Sequence, residues 1–246
     1  MKKILLLTDN EELLTRFKSL IREKGLSESS SYEFEYCFSP QNKVFIEKYR
    51  TVKWIRPLNV KNEVDFLSET YDLIISLHCK QIFPAALVNK VRCINIHPGL
   101  NPHNRGWYPQ VFSILNGLPA GATIHEIDED LDHGPVICQK EVKVESWDTS
   151  ITVYNKVLDV ELDLLNQKII AILNGTYKTF TVGEGNLNLK KDFNSLCKLN
   201  LDEKDTFRNH INRLRALTHG DYSNAFFIDE EGNKVHLKIQ LDRTNN

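Results

Sequence analysis

The chain has 246 residues, 41% of them hydrophobic, which is enough for one well-buried α/β core with a small appendage and not for two equal domains. With 31 basic against 33 acidic residues and a formal net charge of −2, no global field is available to hold a polyanion, so nucleic acid is not an expected partner; a local anion pocket stays allowed. The five cysteines are an odd number with no CxxC pair, which fits reduced cytoplasmic thiols rather than a disulfide framework. No apolar run approaches the roughly 18 residues of a membrane span, and Ile4-Leu5-Leu6-Leu7 stops at Thr8-Asp9-Asn10, a strand and not a signal peptide. The expected setting is therefore the cytoplasm, with no membrane.

In chain order, Lys3 to Leu7 reads as a buried strand and Glu11 to Lys24 as a helix, with Leu13, Leu14, Phe17, Leu20 and Ile21 on one face and Gly25 at its end. Tyr32 to Phe38 alternates as a strand, Val60 to Thr70 is predicted helical, and Asp72 to Leu77 is another buried strand. Arg92 to His97 supplies a further strand, Tyr108 to Asn116 a helix, and Gly121 to Ile127 and Val136 to Val144 two strands around an Asp-rich turn. Thr149 to Leu173 is a long amphipathic helix closed by Asn174-Gly175. Strands alternating with helices predict an α/β fold with a mostly parallel sheet and flanking helices.

The turn-rich stretch from 176 to 200 marks the expected end of the main domain, taken as residues 1–190. Beyond it, residues 200–246 form a small appendage: a helix over 202–217, then Ala225 to Asp229, the turn Glu230-Glu231-Gly232-Asn233, and Lys234 to Leu241 as a hairpin. An isolated hairpin is rarely stable, so it should pack on the main domain or on a second subunit, and a homodimer is expected.

The chemistry concentrates between 95 and 134. No glycine follows the first strand, which argues against a nicotinamide cofactor, and there is no GxxxxGK[ST] loop. His97, His103, His125 and His133 stand among Asp128, Asp130 and Asp132, but without metal-ligand spacing such as HExxH, so no metal is expected. Asn95 and His97, two apart at the C-terminal end of a predicted parallel strand, should face one pocket. Asp132, in the turn Asp132-His133-Gly134-Pro135, can bring a carboxylate against His97. An amide, an imidazole and a carboxylate suit acyl transfer, and no serine or cysteine sits beside them, so transfer should run directly to an external nucleophile.

Asn95-Ile96-His97-Pro98 with Asp130-Leu131-Asp132-His133-Gly134-Pro135 resembles the signature of the formyltransferases that use 10-formyltetrahydrofolate. Asn101 to Gln110, Arg215 to His219 and Asp221 to Ala225 resemble the branch of sugar N-formyltransferases acting on dTDP-linked 4-amino-4,6-dideoxyhexoses, the glucose-configured sugar of O-antigen or other lipopolysaccharide synthesis included. The resemblance implies a Rossmann-like formyltransferase fold with catalytic Asn95, His97 and Asp132. It implies further that His78, Cys79, Lys80, Gln81, Ile82 and Asp128 hold the folate cosubstrate. His103, Asn104, Arg105, Gly106 and Trp107 would line the sugar and pyrophosphate, with Arg215 and Tyr222 beside the base. His125 stands as a neighbour or a direct contact. Formylation of another amine, such as a UDP-aminosugar, a non-catalytic nucleotide-binding relative and a His/Asp metallohydrolase remain the competing readings.

Overall fold

The computed structural model describes residues 1–244. Strand β1 (Lys2–Thr8) runs into helix α1 (Glu11–Glu23), where Asn10 caps the helix by accepting the Leu13 amide at 3.1 Å. The predicted face of α1, Leu13, Leu14, Phe17, Leu20 and Ile21, is buried. After β2 (Tyr32–Phe38) come α2 (Lys43–Tyr49) and β3 (Ile55–Pro57), two elements with no clear period in the sequence. α2 buries only Phe45, and β3 is a three-residue edge strand ending in proline. α3 (Val64–Thr70) starts at 64 and not at 60, because the Val60 amide donates to Gln81 Oε1 and Asn59 and Asn62 close a turn.

β4 (Leu73–Leu77), α4 (Ala85–Val88) and β5 (Cys93–His97) continue the alternation. Next are the two-residue strand β6 (Arg105–Gly106), α5 (Pro109–Asn116), β7 (Ala120–Glu126), β8 (Val136–Val142) and α6 (Ser150–Asn174). Then come β9 (Leu187–Asn188), α7 (Lys190–Cys197), α8 (Phe207–Leu217), β10 (Thr218–His219), β11 (Tyr222–Ser223), β12 (Ala225–Ile228) and β13 (Lys234–Leu237).

Among the described residues the main sheet has seven strands in the order β3-β2-β1-β4-β5-β7-β8. β1 pairs in parallel with β2 and β4, β4 with β5, and β2 with β3; β7 runs antiparallel to β5. This is the mostly parallel sheet expected. Ile4, Leu5, Leu6 and Leu7 are all fully buried, so β1 is covered on both faces, which is why it reads as an unbroken apolar run. Leu5, Leu7, Leu58, Leu67, Ile74 and Leu87 belong to one core cluster, at about 0.8 kcal/mol for each methylene withdrawn from water.

The chain folds into two compact units interleaved in sequence. One comprises Met1–His97, Thr123–Gln139 and Glu161–Val182, and the other Pro98–Ala122, Lys140–Val160 and the chain from Gly183 onward. In the second, α5 packs on α8, and β12 and β13 form the expected hairpin, with Phe226 opposite His236. β13 ends at Leu237 and not Leu241, since the Ile239 amide leaves the hairpin to donate to Thr218 Oγ1. The stretch 176–200, read as a turn-rich boundary, contains β9 and α7; β9 exists through its parallel ladder with β6, a distant partner that leaves no local mark on the sequence.

Candidate active site

Asn95 and His97 leave the C-terminal end of β5 on one face, and the antiparallel register sets Asn95 directly opposite His125 of β7. Asp132 lies in the turn between β7 and β8 with φ +50°, a left-handed conformation that aspartate tolerates better than most residues. Its Oδ1 accepts the Asn95 Nδ2 amide at 2.9 Å, its Oδ2 lies 3.5 Å from His97 Nδ1, and Oδ1 is 3.7 Å from His125 Nε2. The His97 and His125 rings meet edge to face at 6.2 Å, and both are buried. One carboxylate thus accepts from an amide and stands within 4 Å of two imidazoles.

The state of His125 follows from its surroundings. Its Nδ1 donates to the Glu126 carbonyl at 2.7 Å, which leaves Nε2 to accept from Asn95 Nδ2 at 3.3 Å. Both hydrogens of the Asn95 amide therefore have acceptors, Asp132 and His125. Such a cluster can place donors against a carbonyl oxygen that gains charge and a carboxylate against a proton that must leave. Among the described residues no group of three or more His, Cys, Asp or Glu is placed to hold a metal ion.

The segment after β4 is held from three sides within the same unit. Asp9, at the end of β1, accepts the Lys80 amide at 2.9 Å and the Ser39 amide at 3.0 Å, together with Ser39 Oγ and Asn42 Nδ2. His78, with φ +56°, sets its Nε2 2.8 Å from Glu161 of α6, a fully buried carboxylate whose pKa is raised by burial against the counter-effect of His78. Gln81 turns inward, accepting the Val60 amide and donating to the Leu58 carbonyl at 2.9 Å. Burial pushes the Cys79 thiol to about 11, so it is a neutral thiol at pH 7 and not a nucleophile. What this segment leaves for a ligand is backbone, the exposed Lys80 side chain and Ile82, which is 63% exposed. Asp128 pairs with His133 Nδ1 at 3.0 Å and accepts the Asp130 amide, bracing the turn that carries Asp132.

Two family descriptions match the sequence: "Formyl transferase" over residues 35–169 and "N-formyltransferase dimerization C-terminal domain" over 192–243. The chain is 53% identical over 185 residues to a dTDP-4-amino-4,6-dideoxyglucose formyltransferase of Mycobacterium bovis, covering 75% of this chain and 79% of that protein. It belongs to the sugar N-formyltransferases of the formyl transferase family. The crystal structure of a 4-N formyltransferase from Francisella tularensis matches at a TM-score of 0.93 with 44% identity, covering 99% of each chain. The formyltransferase PseJ from Anoxybacillus kamchatkensis, in complex with UDP-4,6-dideoxy-4-formamido-L-AltNAc and tetrahydrofolate, matches at 0.60 with 25% identity over 78% of this chain and 88% of that one. The fold and the one-carbon transferase class expected from the sequence are those of these relatives.

The remaining expected site residues of this formyltransferase lie in the second unit, and they divide into two groups. Arg105 and Gly106 form β6 and Trp107 continues directly from it, with Lys190 over the Trp107 ring at 5.4 Å and Arg105 Nε buried without a hydrogen-bond partner. His103 is half-buried, its amide donating to the Leu100 carbonyl, and Tyr222 stands 70% exposed with its ring 6.0 Å from His219. Asn104 and Arg215 instead point into the protein. Asn104 is fully buried in a knot of amides, and Arg215 donates to the Glu145 and Asp148 carbonyls and to Asn212 Oδ1. The Asn104 amide and the Nε and Nη1 of Arg215 are thus engaged by the fold. The sequence alone does not separate these inward residues from Arg105 and Trp107, since all share one short polar loop or helix end.

Proposed function

We propose that this sugar N-formyltransferase transfers a formyl group from 10-formyltetrahydrofolate to the 4-amino group of a dTDP-linked 4-amino-4,6-dideoxyhexose, most specifically dTDP-4-amino-4,6-dideoxyglucose. The observation that carries the reading is the cluster of Asn95, His97, His125 and Asp132 at the end of the central strands. The name and 53% identity of the mycobacterial relative support the choice of sugar. A cytoplasmic homodimer serving O-antigen or another surface polysaccharide fits the same reading; the C-terminal match to a dimerization domain supports the dimer. Among the described residues no helix is long and apolar enough to cross a membrane.

The residues fit the folate cosubstrate. The 78–82 segment, its side chains Cys79 and Gln81 turned in, offers a backbone edge and Ile82 to a flat heterocycle. When bound, the folate supplies the activated formyl group. His97, with Nδ1 3.5 Å from the Asp132 carboxylate, would donate to the formyl oxygen as negative charge develops there. Asn95 reaches the same oxygen by turning one N–H away from Asp132 while His125 keeps the other. As the sugar amine bonds to the formyl carbon, Asp132, so released, would accept the amine's proton and pass it to the folate nitrogen, whose bond to the formyl carbon breaks. Arg105 offers a fork to the diphosphate, and Tyr222 a face for the base.

Incubation of the enzyme with 10-formyltetrahydrofolate and a panel of dTDP- and UDP-linked aminosugars, read by mass spectrometry, tests the proposal. The expected result is one added formyl group on the dTDP-linked 4-amino-4,6-dideoxyhexoses. Formylation of only UDP-linked or 3-amino sugars would reject the assigned substrate.

A further inference from the structure

The loop from 101 to 108 holds a conformation that its own sequence does not account for. Asn104 has φ +51° and Tyr108 φ +54°, left-handed values at non-glycine residues, with Gly106 between them at +90°. Such backbone persists only where the surroundings over-determine it. Here the surroundings are the segment 185–189.

Three loop amides donate into that segment: Asn104 to Asn186 Oδ1 at 2.8 Å, Arg105 to the Asn186 carbonyl at 3.0 Å and Trp107 to the Asn188 carbonyl at 2.9 Å. Asn104 returns the contact. Its Oδ1 accepts Nδ2 of Asn186 at 2.6 Å, of Asn116 at 2.8 Å and of Asn188 at 3.2 Å, while its own Nδ2 donates to Ser113 Oγ at 3.0 Å. The backbones also touch. A Cβ on Gly185 would overlap the Pro102 carbonyl oxygen, and one on Gly106 would overlap the Asn188 carbonyl oxygen. Beyond the segment, Phe193 of α7 lies against the Tyr108 ring at 4.2 Å.

We infer that residues 185–189 are a strap that sets the shape of the 101–108 loop, and that Asn186 and Asn188 are positioning residues for the diphosphate-hexose part of the nucleotide sugar. The inference rests on the reading of that loop as the nucleotide-sugar side. Neither asparagine touches the substrate; each acts by fixing Asn104, and through it the neighbouring Arg105. An anion-binding arginine on a loop so fixed loses less conformational entropy on binding. Substrate affinity in this enzyme therefore depends on a segment that carries no contact of its own.

The test uses full-length Asn186→Ala and Asn188→Ala, read by amide hydrogen exchange of residues 103–108 and by KM for each substrate. Expected are faster exchange at the Asn104 amide, whose acceptor Asn186→Ala removes, and a KM for the dTDP-aminosugar raised about 10- to 100-fold. The KM for 10-formyltetrahydrofolate and kcat at saturating sugar should stay within about twofold. Asn188→Ala, which removes a single long hydrogen bond, should show the same pattern more weakly and is the fallback if Asn186→Ala does not fold. Unchanged exchange, or both KM values and kcat shifting together with the melting temperature, overturns the strap. Arg105→Ala separates the two readings: an unchanged sugar KM there removes the loop's assignment to the nucleotide sugar, while the exchange measurement still decides the strap.

Discussion

Asp132 accepts the Asn95 amide and lies beside His97, and His125 decides what remains when Asn95 turns away. With Nδ1 committed to the Glu126 carbonyl, His125 Nε2 is a fixed acceptor that holds the Asn95 amide whether or not Asp132 does. His125→Phe keeps an aromatic ring and removes that acceptor. The expected outcome is a fall in kcat of about 10-fold with little change in either KM, smaller than the loss of a donor to the oxyanion itself. In an Asn95→Ala background the same change should cost almost nothing, because the two act as one unit; additive losses in the double-mutant cycle would contradict this. The pair Asn95 and His97 is legible from period-two spacing at a strand end. His125 is not, since its place opposite Asn95 depends on the β5–β7 register. The inward turns of Asn104 and Arg215 likewise come from partners 82 and 70 residues away in sequence.

The 78–82 segment illustrates how an element is shaped by its neighbours. Where a dinucleotide fold places glycines to admit a pyrophosphate, this enzyme places Asp9, whose carboxylate collects donors from two other strand-to-helix connections, Ser39 and Asn42 after β2 and Lys80 after β4. Asp9→Ala should free Lys80 and raise the KM for 10-formyltetrahydrofolate by about 10-fold, with the sugar KM unchanged; steady-state kinetics with each substrate varied reads it. A second element-level tie gives a pH dependence. Burial opposes ionisation of Asp148, but hydrogen bonds from Lys156, the Glu145 amide and Thr152 outweigh it and hold the carboxyl below its ordinary value. A lowered folded-state pKa gives stability that is present above the unfolded value and lost as pH falls through the folded one. The melting temperature should therefore drop below about pH 4, and Asp148→Asn should flatten that drop while lowering the neutral-pH melting temperature.

Across the whole molecule, the alternating order of strands and helices in the first half is readable because buried parallel strands are continuous apolar runs and α1 carries a clean stripe. What is not readable is the interleaving of two compact units, in which Pro98–Ala122 joins the C-terminal segment and not the strands that flank it. Chain-order boundaries track composition, whereas compact units track long-range contacts. The C-terminal segment exposes apolar side chains, Phe207 at 85% and Leu201 at 67%, within the stretch that matches a dimerization domain. If these cover each other in a homodimer, Phe207→Asp should shift the mass measured by light scattering toward the monomer; an unchanged mass would place the interface elsewhere.

Direct formyl transfer at Asn95, His97 and Asp132 stands or falls on the turnover of His97→Ala and Asp132→Asn with 10-formyltetrahydrofolate and dTDP-4-amino-4,6-dideoxyglucose, measured alongside their melting temperatures. The expected result is a loss of about 100- to 1,000-fold in kcat for each folded variant. Near-normal turnover by either would contradict it.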